Sequence, residues 1–184
     1  SKHATPLTDG IALAAATALI RHLPAFVASI QDETAAHETA VASTMAGMAF
    51  TNAGLGIVHA VAHPLGARTH WPHGLVCGLL LHRALRFNRA HAGRKYQMLS
   101  SVAGMDIADF CESLVPRLGI DRRLAEAGVT DGDVPQLVAR TMPSGSLACN
   151  PRPAVARDVE LFIRQACLPA TAVDTRGHIP NNQA

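Results

Sequence analysis

Residues 54–74 read GLGIVHAVAHPLGARTHWPHG, and four of the ten histidines in the chain, His59, His63, His70 and His73, fall inside this one stretch. His59 and His63 are four apart, so on a helix both imidazoles project from the same face. The Pro64-Leu65-Gly66 sequence predicts a reversal of the chain, after which Pro72 sets His73 on the first turn of the next helix, facing back toward His59. Two imidazoles from neighbouring helices suit a borderline divalent metal such as Fe²⁺ or Zn²⁺. A His-x-x-x-His pair alone is as readily a packed or solvated feature, and that ordinary role is expected for His3, His22, His37, His82, His91 and His178. A zinc-protease helix needs a glutamate directly after its first histidine, and Ala60 stands there. Gly54-Leu55-Gly56 fails as a dinucleotide loop, because it follows a helical pattern and lacks the third glycine.

Outward from this stretch, apolar residues recur at helical spacing and nowhere alternate as strands do. Capped by Thr8 or Asp9, a first helix is expected to about His22, where Pro24 forces a restart; Leu19, Leu23, Phe26, Val27 and Ile30 share one stripe. A second runs from Asp32 to about Asn52, presenting Val41, Met45 and Met48 on a dense alanine background whose small residues allow close packing, and Gly54 and Gly56 end it. Ile57 to about His63 forms a short helix stopped by Pro64 and Gly66. The next begins near Pro72 and reaches about Ala90 with Leu75, Leu79, Leu80 and Leu85 inward. Further helices are expected at about 93–103, 107–118 with Asp106 as cap, 121–127 closed by Gly128, 131–141 and 154–167. The expected fold class is therefore all-α, a helical bundle-like domain over residues 1–167, with an irregular C-terminal tail over 168–184 ending HIPNNQA.

With 48% apolar and 16% charged residues, 184 residues bury one core. Sixteen basic and 14 acidic side chains are dispersed, with no Lys/Arg run to track a phosphate backbone, so nucleic acid is excluded as a partner. Ile11 to Ile20 is apolar but too short to span a bilayer and is flanked by Asp9 and Arg21, so no membrane role is expected. Cys77, Cys111, Cys149 and Cys167 form no Cys-x-x-Cys pair, which fits a reducing, cytoplasmic compartment. The chain opens on Ser1, as a processed or truncated product does.

Residues Ala46 to Asn88, AGMAFTNAGLGIVHAVAHPLGARTHWPHGLVCGLLLHRALRFN, closely resemble the second signature region of the iron-containing (group III) alcohol dehydrogenases. The resemblance extends to Pro6-Leu7-Thr8-Asp9 with its following helix and to Cys149-Asn150-Pro151-Arg152 with the last helix. It implies the C-terminal, metal-carrying half of a two-domain enzyme, whose nucleotide-binding α/β domain is absent from this sequence. It places metal ligands at His59 and His73, and at His63 the residue that sits beside the nicotinamide and handles a proton. Phe50 and Cys149 match pocket-lining positions, while His70 matches no ligand. The implied cofactors are Fe²⁺, with Zn²⁺ as the alternative, and NAD or NADP; the implied substrate is a small alcohol or aldehyde. The metal acts there as a Lewis acid while the nicotinamide takes the hydride.

The family's remaining two ligands, an Asp and a His one turn apart, fall upstream of Ser1, so His3 and Asp9 are not substitutes. With two ligands of four, the chain alone is expected to bind metal weakly or not at all and to lack dehydrogenase activity. An apolar face around Phe50, His59 and Trp71 is expected to be exposed where the other domain would pack, which favours a homo-oligomer. The competing reading is a non-catalytic helical metal- or ligand-binding module built on His59, His63 and His73.

Overall fold

The structure is a computed structural model that describes residues 1–120 and 124–167. All described regular elements are helical, as the sequence pattern requires. They are α1 (Pro6–Ala28), α2 (Glu33–Ala53), α3 (Ile57–Thr69), α4 (His73–Ala103), α5 (Ile107–Arg117), α6 (Val134–Thr141), α7 (Gly145–Ala148) and α8 (Ala156–Cys167). Two 3₁₀ turns, Leu124–Ala127 and Asp131–Asp133, precede α6. The expected tail at 168–184 and the first residues of the helix expected at 121–127 lie outside the described residues.

Both proline expectations need correction. Helix α1 does not stop at His22; Pro24 lies inside it. Likewise α3 runs through Pro64 to Thr69. A proline removes one amide from the ladder but leaves the flanking bonds, and side chains packed on either side keep the two segments in line. Pro64 is itself buried among Ala60, Val61, Ala62 and Leu65. The reversal therefore falls later, at His70, whose φ of 56° is left-handed and whose amide donates to the Gly66 carbonyl at 2.9 Å. The cap of α1 also lies earlier than expected. Thr5 accepts from the Thr8 amide at 3.2 Å while Thr8 Oγ1 accepts from the Thr5 amide at 2.8 Å, a reciprocal box that makes Thr8 the third helical residue. Asp106 caps α5 as expected, and Asp32 is the cap of α2, which begins at Glu33. The break expected near Ala90 appears within α4 as a kink at Gly93, where φ is 44°.

The main core gathers Ile57, Val61 and Leu65 of α3, Val76 and Leu80 of α4, Val134 and Leu137 of α6, and Val159, Phe162 and Ile163 of α8. A smaller cluster joins Tyr96, Ile107 and Ala108 with Ile20, Leu85 and Phe110. On the α1–α2 hairpin the bulky stripes are only partly packed: Leu19, Leu23, Phe26 and Met45 are half-buried, whereas Val27, Ile30, Val41 and Met48 are exposed. Ala15 on α1 and Ala35, Ala42 and Ala49 on α2 are buried instead, the last three spaced by seven, because small side chains let the two helices approach closely. Helix α1 has the length and apolar content of a bilayer-crossing segment. Its Asp9 pairs with Lys95 of α4 at 2.7 Å and Ile20 joins the second cluster, as in a helix docked on a protein body.

A candidate metal centre on α3 and α4

The start of α3 is fixed before any ligand appears. Asn150, 1% exposed, accepts the Ile57 amide on Oδ1 at 3.1 Å, standing in for the side-chain cap that Gly56 cannot provide. Its Nδ2 donates to Asn88 Oδ1 at 2.8 Å and to the Arg152 carbonyl at 2.7 Å, so one amide ties α3, α4 and the segment before α8 together. A Cβ on Gly56 would lie 2.8 Å from Asn150 Oδ1, which is why this residue has none. Gly54, at φ 77°, ends α2 and passes so close to Cys149 that a Cβ would meet its Sγ at 2.8 Å.

From that anchored start, α3 projects His59 and His63, and the first two turns of α4 project His73 and Cys77. The His59 and His73 ring centroids are 5.3 Å apart, and His63 stacks on His73 at 5.4 Å with 23° between planes. His59 and His63 themselves meet edge to face at 6.2 Å. His59 is half-buried, while His63 and His73 are exposed, so the cluster opens on the surface. Burial, and then the imidazoles of His73 and His63, lower the His59 pKa, which favours the free-base form a metal needs. Burial raises that of the Cys77 thiol.

One donor atom each from His59, His73 and Cys77 lies within 4.8 Å of the others. Nitrogen and sulfur donors converging at a surface opening fit a divalent first-row ion. His63 is outside that converging set and lies against it. Phe50, 44% exposed on α2, tilts against His59 at 6.3 Å between centroids. Cys149 sits against the Gly54 turn rather than among the three donors. His70 caps α3 at the exposed far end, on a cleft with Arg68 and Asp133. Trp71 does not form part of an exposed apolar face as expected; it packs against the main core.

Two residues were not singled out by sequence. Cys77 follows His73 by the same four-residue step that separates His63 from His59, a visible signal. Asn150 had none, because its partner amide is 93 residues away.

An all-helical body thus presents imidazoles and a thiol from two successive helices at an open surface, a candidate metal centre. The chain belongs to the iron-containing alcohol dehydrogenases: residues 1–167 match the Fe-containing alcohol dehydrogenase family, C-terminal. It is similar to the 1,3-propanediol dehydrogenase of Citrobacter freundii, 34% identical over 178 residues, covering 90% of this chain and 46% of that protein. The NAD-dependent methanol dehydrogenase of Bacillus methanolicus is 30% identical, with 90% and 47% covered. The crystal structure of a 1,3-propanediol oxidoreductase superposes with a TM-score of 0.82 at 33% identity, over 90% of this chain and 47% of that one. The chain thus spans about half the length of the curated relatives it matches.

Proposed function

We propose that this protein is the metal- and substrate-side half of an NAD(P)-linked alcohol dehydrogenase, with residues 1–167 as the functional domain. The observation that carries this reading is the convergence of His59 and His73 from consecutive helices, with His63 stacked beside them. His59 and His73 would hold the ion, Fe²⁺ as the family's name implies or Zn²⁺, which the same nitrogen donors accept. When bound, the ion would supply Lewis-acid polarisation of the substrate oxygen, and NAD or NADP would supply the hydride chemistry.

The residues of this chain do the rest. Depressed basicity keeps the His59 lone pair available. His63, an exposed imidazole beside His73, would take the alcohol proton and pass it to solvent. Phe50 would supply an apolar wall beside His59, and Cys149, at the end of α7, would line the substrate side from its place against the α2–α3 turn. A nucleotide-binding domain covers the opening, excluding water from the reacting atoms. Small alcohols or aldehydes are the substrate class, and the compartment is the reducing cytoplasm. The exposed Met48 and Phe50 favour a homo-oligomer.

The test is metal content and activity of this chain beside the protein of the full open reading frame, each reconstituted anaerobically with Fe²⁺. Alcohol oxidation with NAD(P)⁺ by the longer protein alone is the expected result. A longer protein that retains metal yet turns over no alcohol or aldehyde would overturn the reading and favour the non-catalytic module.

A further inference from the structure

We propose that Cys77 is a third ligand of this centre, so that His59, His73 and Cys77 together let the chain itself hold a thiophilic divalent ion. The inference rests on the reading of His59 and His73 as ligands and deepens it. Cys77 Sγ lies 3.4 Å from His73 Nε2. A tetrahedral ion bound at about 2.0–2.1 Å from nitrogen and about 2.3 Å from sulfur needs its donors roughly 3.3–3.6 Å apart. The His73–Cys77 edge therefore already has the length an ion would impose. His59 completes a triangle whose sides are all within 4.8 Å, and closing the longest of them takes a side-chain rotation of about an ångström.

The rigidity of the three positions comes from different sources. His73 and Cys77 are one turn apart on α4, so their spacing is set by the helix. His59 stands on the first turn of α3, whose entry is clamped by Asn150 on the Ile57 amide. An exposed fourth position remains on the side where His73 faces out, which is where substrate or a further protein ligand would enter. Sulfur also changes the preference of the site. Two imidazoles alone accept iron and zinc alike, whereas a thiolate biases the set toward Zn²⁺ and its spectroscopic surrogate Co²⁺. A cysteine that merely packs against the core, as its partial burial beside the main cluster allows, would leave no mark on a bound ion.

The experiment is an anaerobic titration of the 184-residue chain with Co²⁺ under a non-thiol reductant, followed by absorption. A single equivalent should bind and produce a near-ultraviolet sulfur-to-cobalt charge-transfer band. Cys77→Ser should remove that band and weaken binding more than about tenfold, the lower end of what loss of even an outer-shell partner costs. His59→Ala and His73→Ala should weaken binding further, and Cys111→Ser should leave the spectrum unchanged. Helix content by circular dichroism verifies that each variant folds.

Two results overturn the proposal: no Co²⁺ bound by the wild-type chain, or Co²⁺ bound with a spectrum that Cys77→Ser does not alter. The second leaves the dehydrogenase reading intact, because His59 and His73 still bind. A sulfur band in this chain, paired with an inactive full-length protein, would remove the dehydrogenase reading and keep Cys77 as ligand.

Discussion

Replacing Asn150 by alanine should unfold the domain at a markedly lower temperature, although no metal-type side chain is touched. Four hydrogen bonds converge on that amide: from the Ile57 amide, from Asn88 Nδ2, to Asn88 Oδ1 and to the Arg152 carbonyl. Alanine leaves the Ile57 N–H and the Arg152 carbonyl without their partner at a site that is 1% exposed, while the half-buried Asn88 can turn toward water. Each orphaned group costs about 1–3 kcal/mol, so the pair amounts to roughly 2–6 kcal/mol. For a domain of this size, 1 kcal/mol moves Tm by about 2–4 °C, which gives a fall of roughly 4–24 °C. Thermal unfolding followed by far-ultraviolet circular dichroism measures it. Asn150→Asp keeps an acceptor for Ile57 but sets a carboxylate against Asn88 Oδ1 and the Arg152 carbonyl, so it should recover less than half of the loss. A fall of under about 2 °C for Asn150→Ala would refute the claim that this amide clamps the start of α3.

Gly56→Ala should be destabilising for the same reason, its Cβ 2.8 Å from Asn150 Oδ1; combined with Asn150→Ala in a double-mutant cycle, the two losses should fall short of their sum. His82 is buried with Nδ1 unpartnered and Nε2 3.7 Å from Glu112. Desolvation first, and then the Arg83 charge, depress its pKa from 6.5 to about 4. Because the folded value is the lower one, the unfolded chain takes up the proton first. Stability is fully present above pH about 6.5 and declines as pH falls toward about 4. Urea unfolding across that window should show the decline for wild type and a flatter profile for His82→Leu. Zinc at a hundredfold excess over its Kd should stabilise the chain by about 2.7 kcal/mol, and His59→Ala or His73→Ala should abolish the rise in Tm.

The fold class and the ligand helices were legible because helical spacing and the His59/His63 step are properties of short segments. The prolines misled for the opposite reason: a local stop rule scores the missing amide of Pro24 or Pro64 and takes no account of the neighbours that hold the helix together. The hairpin was legible in part: the alanines of α2 are small enough to pack closely and Ala35, Ala42 and Ala49 do, whereas Val27, Ile30, Val41 and Met48, marked by bulk alone, turn outward. Cys77 carried a spacing signal that reads as chemistry only once His59 is seen across from it. Asn150 carried none, since its role exists only after residues 93 positions apart have met.

An alanine seam lets two backbones approach closely while burying little apolar area for each residue it orders. Helix α2 is held chiefly by α1, and α1 is moored to α4 through Asp9–Lys95 and the cluster around Tyr96. Beyond these moorings and the Lys2 amide bonded to the Cys149 carbonyl, little holds the hairpin, so its amides should exchange by local opening at a lower free energy than the main core's. Phe50 rides on that hairpin, and His59 does not. Opening of the hairpin would carry the Phe50 ring away from the His59 imidazole, at a centre that the exposed His63 and His73 already leave open to the surface.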